Sequence, residues 1–272
     1  MKKIKILLGL AVAIAGITSF GATQASASSY TVIKTKTYTN SPVYHAKSAT
    51  KNVYLWNKSH TKKLHNLKNY PNTSWGVQAS VTMKHNGSNA TYYSVESYTP
   101  TQKKSPVYGY VWHNYLTKGY NRHYSHWNNL YLRGFTSDSD YLNYIKQSPS
   151  QAVTNKVLQL FPNSQLSLNL SHYVENRDAL LNLKTEASTF NASYRDPILL
   201  TNVNQLFYHG YKDTQTESQR FQAIEKALDA AGYTASKRAS LKDYQIGIYY
   251  QNAPLKDVDE NSVGIILAKP AN

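Results

Sequence analysis

The chain has 272 residues, contains no cysteine and carries a formal net charge of +15 at pH 7. Without cysteine it has neither a disulfide framework nor the nucleophile of a cysteine peptidase, so each domain must close on an apolar core of its own. The length allows one or two such domains.

The first 27 residues have the features of a secretory signal peptide. Lys2, Lys3 and Lys5 precede an apolar stretch over 6–20, and small residues follow up to Ala27. The apolar stretch is about fifteen residues long, whereas a membrane-spanning helix needs about twenty. We therefore expect cleavage after Ala27 and a mature chain without a transmembrane segment. Such a protein would be secreted, extracellular or associated with the cell wall, and an exported chain without cysteine is typical of a Gram-positive source.

Charge divides the remaining chain into two unequal parts. Residues 28–137 hold fourteen Lys or Arg against one acid, Glu96, which gives +13, whereas residues 138–272 have a net charge of −1. All four tryptophans and seven of the nine histidines also lie in the first part. This asymmetry predicts two domains and an aromatic joint between them, with the bounds 28–119, 120–136 and 137–272.

The first part has the pattern of a small antiparallel β domain. Short runs of β-branched and aromatic residues are separated by turn residues, and Asn86-Gly87 is the clearest hairpin signal. Five short strands in about ninety residues predict a small barrel. The expected strands are 30–38, 53–56, 75–83, 91–98 and 108–115.

Several of these segments resemble bacterial SH3-like cell-wall-binding modules. Residues 92–95 (YYSV) and 109–116 (GYVWHNYL) look like the closing hairpin of such modules, in which a tyrosine-rich strand precedes a Gly-Trp-Val segment ending in Tyr-Leu. Residues 53–56 and 74–75 are similar to the aromatic strands of the same module. The resemblance covers 30–119. It implies an SH3-like β-barrel that binds peptidoglycan or teichoic-type polymers, in a surface protein similar to those of lactic-acid bacteria.

Charge and aromatic content point to the same ligands without that resemblance. Lysines along a loop at 58–68 would attract a phosphate-rich polyanion at long range, and the neighbouring aromatic strands offer flat faces to sugar rings. Histidines would add positive charge at mildly acid pH. The expected ligand-binding residues are all aromatic or basic, namely Tyr54, Trp56, Lys58, Lys62, Lys63, Lys68, Trp75, Tyr92, Tyr110, Trp112 and Tyr115.

Other interpretations of this basic region are weaker. The structural alternative is that its tryptophans and many of its tyrosines form the barrel core instead of binding a ligand. Nucleic acid is disfavoured because the chain is exported and carries no RNA- or DNA-binding signature. His123 and His126 are spaced like metal ligands on a helix, but no Glu follows in the metalloprotease pattern and no Cys is present. We expect no metal and no cofactor.

The second part has helical periodicity followed by two strands. Ser137 and Ser148-Pro149 have the chemistry of helix starts, and Thr216 with Gln219 predicts a capping box. The whole chain is therefore predicted as α+β, with an SH3-like barrel followed by a helix-rich domain and a short C-terminal β-hairpin. Besides the two helices that start at 137 and 148, the expected elements are helices at 176–190, 197–208 and 216–231 and strands at 244–250 and 262–268.

No complete catalytic pattern appears in the second part. The Gly-x-Ser-x-Gly motif is absent, and Glu175 and Glu186 with Asp178 or Asp196 are carboxylate pairs that any fourteen acids would supply. We therefore predict a non-enzymatic cell-surface protein attached non-covalently to anionic wall polymers. Two alternatives stay open. One is a cell-wall (peptidoglycan) hydrolase, and the other is an adhesin for host or neighbouring cells in which 137–272 binds an extracellular protein.

Overall fold

The computed structural model describes residues 30–98, 105–123, 130–175, 183, 187–207, 215–251 and 262–271. The predicted signal peptide lies outside these residues. The fold is mixed α+β, and its strands form two sheets. The first sheet contains β1 (Thr31–Thr37), β2 (Val43–Ala46), β3 (Tyr54–Trp56), β4 (Lys63–Asn66), β5 (Ser74–His85), β6 (Ser88–Ser97), β7 (Tyr108–Trp112) and β8 (Leu116–Lys118).

The first sheet is antiparallel and curls into a half-barrel. Its strands follow the order β4-β3-β7-β6-β5-β2-β8, and β1 also pairs with β5. The length of β5 allows this, because its first half pairs with β2 and its second half with β1. A register shift between Val77 and Ala79 marks the bulge between the halves, and bulges of this kind bend a strand.

Strands lie at all five expected positions, although β7 ends at Trp112 and a 3-10 turn occupies 113–115. Three further strands were missed. The predicted hairpin joins β5 to β6, where Asn86 and Gly87 both have positive φ, 48° and 79°, as a type I′ turn requires. The missed strands β2, β4 and β8 have three or four residues each, too few to show an alternating pattern. The expected loop at 58–68 is wrong in part, because β4 occupies 63–66.

Side-chain alternation divides the first sheet into two faces. Leu55, Val95 and Val111 point inward and pack with Trp75 and Val77 in a small core. Beyond the bulge, a second small cluster of Ala79, Val81 and Met83 lies on the opposite face. The first sheet therefore has an inner face that holds the Trp75 cluster and an outer face that holds the smaller Met83 cluster.

The second region combines helices with a four-stranded sheet of order β10-β12-β11-β9. The expected C-terminal strands pair as predicted, but the hairpin is part of a wider sheet, since an antiparallel and a parallel strand flank it. The elements are α1 (Asp138–Gln147), α2 (Ala152–Gln159), β9 (Gln165–Leu166), α3 (Leu168–His172), α4 (Ala187–Ser193), β10 (Tyr194–Leu199), α5 (Thr201–Asn204), α6 (Glu217–Ala230), α7 (Ala235–Ala239), β11 (Gln245–Gln251) and β12 (Ser262–Pro270).

The predicted helix starts are confirmed at three positions. The Ser137 hydroxyl accepts from the Asp140 backbone N–H, Pro149 opens a short 3-10 turn before α2, and Thr216 with Gln219 forms the capping box of α6. The helix expected at 197–208 is wrong in part, because Pro197 to Leu199 belong to β10 and only Thr201–Asn204 are helical among its described residues. Of the helix expected at 176–190, only 183 and 187–190 lie within the described residues.

Contacts connect the two regions near the predicted joint. Val43 of the first sheet lies in the large core of the second region with Tyr120, Leu130 and Leu132. The Asn121 side chain donates to the Pro71 carbonyl at 2.8 Å. The division into domains at these positions stays a prediction. Within the described part of the chain, no helix has the length and apolar character needed to cross a bilayer.

Candidate functional site

Strand register gathers aromatic side chains on the outer face of the first sheet. Tyr92 of β6 lies opposite Trp112 of β7, and Trp56 of β3 lies opposite Tyr110 of β7. Since alternate residues point to opposite faces, Tyr54 shares the face of Trp56, while Leu55 between them enters the core. The outer face therefore carries a continuous aromatic surface.

This surface forms one side of a groove of about 340 Å³. That volume lies within the range of small-ligand sites in proteins. Trp112 and Tyr115 at its edge stay 37% and 42% exposed, so their rings are accessible from solvent. The groove is lined by Tyr30, Asn52, Val53, Tyr54, Trp56, His60, Lys63, Tyr92, Trp112 and Tyr115.

Lys63 supplies the positive charge of the groove. Its Nζ lies 4.4 Å from the centroid of the Tyr54 ring and 5.6 Å from that of Trp56, the geometry of cation–π contacts. The ten lining residues include no carboxylate, so no acid within the groove neutralises this ammonium group. The arrangement suits a ligand that has both flat apolar faces and negative charge.

A hydrogen-bonded loop at 57–62 brings His60 to the groove. The Asn57 side-chain oxygen accepts from the backbone N–H groups of Thr61 and Lys62 at 2.9 and 3.1 Å, and the His60 N–H donates to the Asn57 carbonyl at 3.0 Å. His60 itself has φ of 57°, an uncommon conformation for a residue other than glycine. The loop holds the His60 ring inside the groove.

Burial shifts the pKa values of two groove residues in opposite directions. Burial lowers the pKa of His60 below its usual 6.5, and the neighbouring His85 acts in the same direction while the Lys58 backbone partly opposes it. Burial, followed by a hydrogen bond with Tyr30, raises the pKa of Tyr92 to about 12. At neutral pH the groove therefore contains a neutral imidazole and a protonated phenol.

Six of the eleven expected ligand-binding residues lie together in this groove. Tyr110 lies beside it, packed against the small cluster of Ala79, Val81 and Met83. Lys58 and Lys62 are exposed on the loop that carries His60. Lys68 is exposed on the 3-10 turn after β4 and does not line the groove. The six groove residues are Tyr54, Trp56, Lys63, Tyr92, Trp112 and Tyr115.

Trp75 requires a correction. Its side chain is fully buried in the core of the first sheet, with its ring edge-on to Tyr70 at 5.6 Å. A ring without solvent exposure cannot stack on a ligand from solution, so Trp75 is a core residue. For this tryptophan the alternative interpretation, a structural core residue, is correct.

The expected ligand-binding residues did not include Tyr30, Asn52 or His60, which also line the groove. Tyr30 reaches the groove because the β1–β5 pairing of Thr31 with Lys84 places it beside His85, on which it stacks at 4.0 Å. His60 reaches it through the turn that Asn57 organises. The Asn57-x-Ser59-x-Thr61 spacing of short polar residues is the one sequence signal for such a turn.

A second cavity, of about 650 Å³, lies between α1, α2 and β9. Its floor is apolar and includes Leu142, Leu158 and Leu166. The Asp138 carboxylate at its rim accepts from the Leu168 N–H at 2.7 Å and so joins α1 to α3. Among its lining residues there is one aromatic ring and one lysine, so it lacks the combination found in the groove.

The carboxylates considered for hydrolysis have structural partners where they are described. Glu175 accepts from the Leu132 N–H at 2.7 Å and contacts His172 at 3.1 Å, and Asp196 forms an ion pair with Lys269 at 3.0 Å. Asp178 and Glu186 lie outside the described residues, as does His126. Over the described part of the chain, no three His, Asp or Glu side chains form a potential metal site.

Known proteins give no further guide to this groove. No family model, no curated protein and no solved structure matches the chain.

Proposed function

We propose that this chain is an exported cell-surface protein that attaches non-covalently to anionic cell-wall polymers through its first region, an SH3-like module. The observation that carries the proposal is the groove itself, where solvent-accessible aromatic rings adjoin an ammonium group that no acid in the groove neutralises. On this proposal, sugar rings of the polymer pack on Trp112 and Tyr115 while its phosphates approach Lys63.

Long-range electrostatics supports the same ligand. The net charge of +13 over 28–137 attracts a polyanion before contact, and salt weakens that attraction. The one acid of this part, Glu96, accepts hydrogen bonds from Gln78 and Tyr108, each at 2.9 Å. Its charge is thereby held within a local network away from the groove residues. Neither feature is needed to fold a small β-sheet, whereas both favour binding of an anionic polymer.

The test is co-sedimentation of the chain from residue 28 with Gram-positive cell walls across a salt series. Trp112→Ala should weaken binding about tenfold, which is about 1.4 kcal/mol. Replacing Lys58, Lys62 and Lys63 by Ala should reduce the magnitude of the slope of log affinity against log salt by about two, as for other polyanion ligands. Walls stripped of teichoic polymers should bind much less.

A matched variant controls for net charge alone. Lys226, Lys237 and Lys242 are exposed in the second region, so replacing them by Ala removes the same three charges away from the groove. If both triple variants lose binding equally, the groove is not the site. If the unmodified chain stays in solution with intact walls at every salt concentration, the proposal is wrong.

A further inference from the structure

His60 is part of a stack of four rings across the groove. Its imidazole lies 4.2 Å from the Tyr30 ring and 5.9 Å from the Trp56 ring, with interplanar angles of 21° and 18°. The centroid of the Tyr92 ring lies 4.4 Å from that of His60, at an interplanar angle of 68°, and His85 stacks on Tyr30. The imidazole thus fills a slot between two nearly parallel aromatic faces.

The surroundings of the slot favour the neutral form of the imidazole over its protonated form. Both ring nitrogens of His60 are enclosed, and neither makes a well-formed hydrogen bond within the described chain. A protonated ring would carry two enclosed N–H donors, for which the Lys58 backbone offers only partial compensation, and leaving buried donors unsatisfied is costly.

The groups that face the slot add to this cost. Lys63 of β4 lines the same groove, and Lys58 and Lys62 belong to the loop of His60. His85 of β5 lies beyond Tyr30. The other titratable residues that line the groove are all phenols, namely Tyr30, Tyr54, Tyr92 and Tyr115. No carboxylate among the lining residues offsets the positive groups. Aromatic faces attract cations, whereas burial of the ring lowers the pKa of His60.

We propose that the slot between Tyr30 and Trp56 is a binding subsite for a sugar ring, and that the neutral imidazole of His60 occupies it until mild acid protonates and expels that ring. A proton from solvent binds one ring nitrogen, and the His60 side chain rotates out of the slot so that the imidazolium enters water. The vacated slot offers two parallel aromatic faces to a pyranose ring. This inference rests on the proposed function, because it names the part of the polymer that the groove accepts.

The backbone of the loop permits such a release. The hydrogen bonds of the loop with Asn57 involve backbone and short polar groups, none of which needs the imidazole. The ring can therefore leave while the turn persists.

The test uses a neutral chito-oligosaccharide, so that the charge of the ligand does not contribute. Binding to the chain from residue 28 is measured by titration calorimetry at about pH 7.5 and about pH 5, on either side of the usual histidine pKa. We expect affinity to be about fivefold higher at the lower pH. His60→Ala, which empties the slot, should bind at both pH values as tightly as the unmodified chain does in acid. His60→Gln, which fills the slot with a group that does not titrate, should bind weakly at both.

His123→Ala is the matched control, because it removes an exposed histidine outside the groove. It should keep the pH dependence of the unmodified chain. Affinity that does not change with pH overturns the inference, as does an absence of binding at both pH values. His60→Ala binding weakly at both pH values also overturns it, since His60 would then contact the ligand directly.

A readout without ligand separates this inference from the proposed function. Expulsion of the His60 ring should change the fluorescence of Trp56 between about pH 7.5 and about pH 5, and His60→Gln should abolish the change. Wall attachment without this change leaves the proposed function standing and removes the inference. A fluorescence change without wall attachment would remove the proposed function and leave the acid-induced release of the His60 ring standing.

Discussion

In the second region, Tyr141 and Tyr194 are core residues whose hydroxyl groups have fixed partners. Tyr141 is fully buried and donates to the Ile248 carbonyl at 2.9 Å, and burial raises its pKa far above the ordinary value. Tyr194 is likewise buried, with its hydroxyl 2.9 Å from that of Ser167. In the first region, by contrast, Tyr54 and Tyr92 line a groove open to solvent. The same residue type stabilises one region and provides a surface in the other.

Exposed apolar side chains and buried clusters follow the same division between the two regions. Seven large apolar side chains are exposed within the described residues, and six of them lie in the first region. The buried cluster of the first sheet is small, whereas the core of the second region extends over both faces of its sheet and takes in Val43. The comparison indicates that the first region contributes surface for a ligand and that the second contributes most of the buried core.

The largest effect expected from this comparison concerns two tryptophans of the first region. Trp75→Ala should lower the free energy of unfolding by about 3–5 kcal/mol, the usual cost of truncating a buried aromatic residue, because the ring is fully buried. Trp112→Ala should change it by about 1 kcal/mol or less, since that ring is 37% exposed. Urea denaturation followed by circular dichroism measures both.

Wall binding should show the opposite order. Under conditions in which both variants are folded, Trp75→Ala should bind like the unmodified chain and Trp112→Ala should bind more weakly. If the Trp75 variant is as stable as the unmodified chain but loses binding, the division between core and surface tryptophans is wrong.

Two glycines test the tightness of packing in the two regions. A Cβ at Gly247 of β11 would lie 2.5 Å from the Leu170 carbonyl carbon, which belongs to the backbone of α3. A Cβ at Gly76 of β5 would meet the Tyr98 ring at 3.0 Å, and a side chain can rotate away. We expect Gly247→Ala to cost about 3 kcal/mol and Gly76→Ala about 1 kcal/mol, measured by urea denaturation. Equal costs would show that the two regions tolerate overpacking alike.

The sequence predicted those elements whose signals are local. Alternation located β5 and β6, Asn86-Gly87 located their turn, and Thr216 with Gln219 located the start of α6. The segment 197–208 was predicted as one helix that starts at Pro197, although, of its described residues, only 201–204 are helical. In the structure Pro197 lies at the irregularity between Arg195 and Ile198 in an edge strand, where a missing backbone N–H is tolerated. Only the pairing with β12 reveals this.

The groove was predictable in kind but not in detail. Aromatic and basic composition indicated Trp56, Lys63 and Trp112, which the structure brings together. Composition could not show that Trp75 enters the core, because its burial depends on which face of β5 packs against the other strands of the first sheet. It could not place His60 either, because that placement depends on a turn, a positive φ and three strands that converge on one ring.

The smallest expected effect concerns the dependence of stability on pH. Because burial holds the pKa of His60 below 6.5 in the folded state, the unfolded chain binds the proton first as pH falls. The stabilising contribution is therefore complete above about pH 6.5 and is lost as pH falls through the lower pKa of the folded state. Other histidines titrate in the same range, so the useful quantity is the difference between the unmodified chain and His60→Gln, obtained from urea denaturation at several pH values. That difference should shrink in acid and then level off, since a His60 ring that has left the slot is solvated in both states. A difference that stays constant across this range would mean that the His60 ring is equally solvated in the folded and unfolded chain. His60 would then not be an example of a ring that the first region holds reversibly, in contrast to the permanently buried rings of the second region.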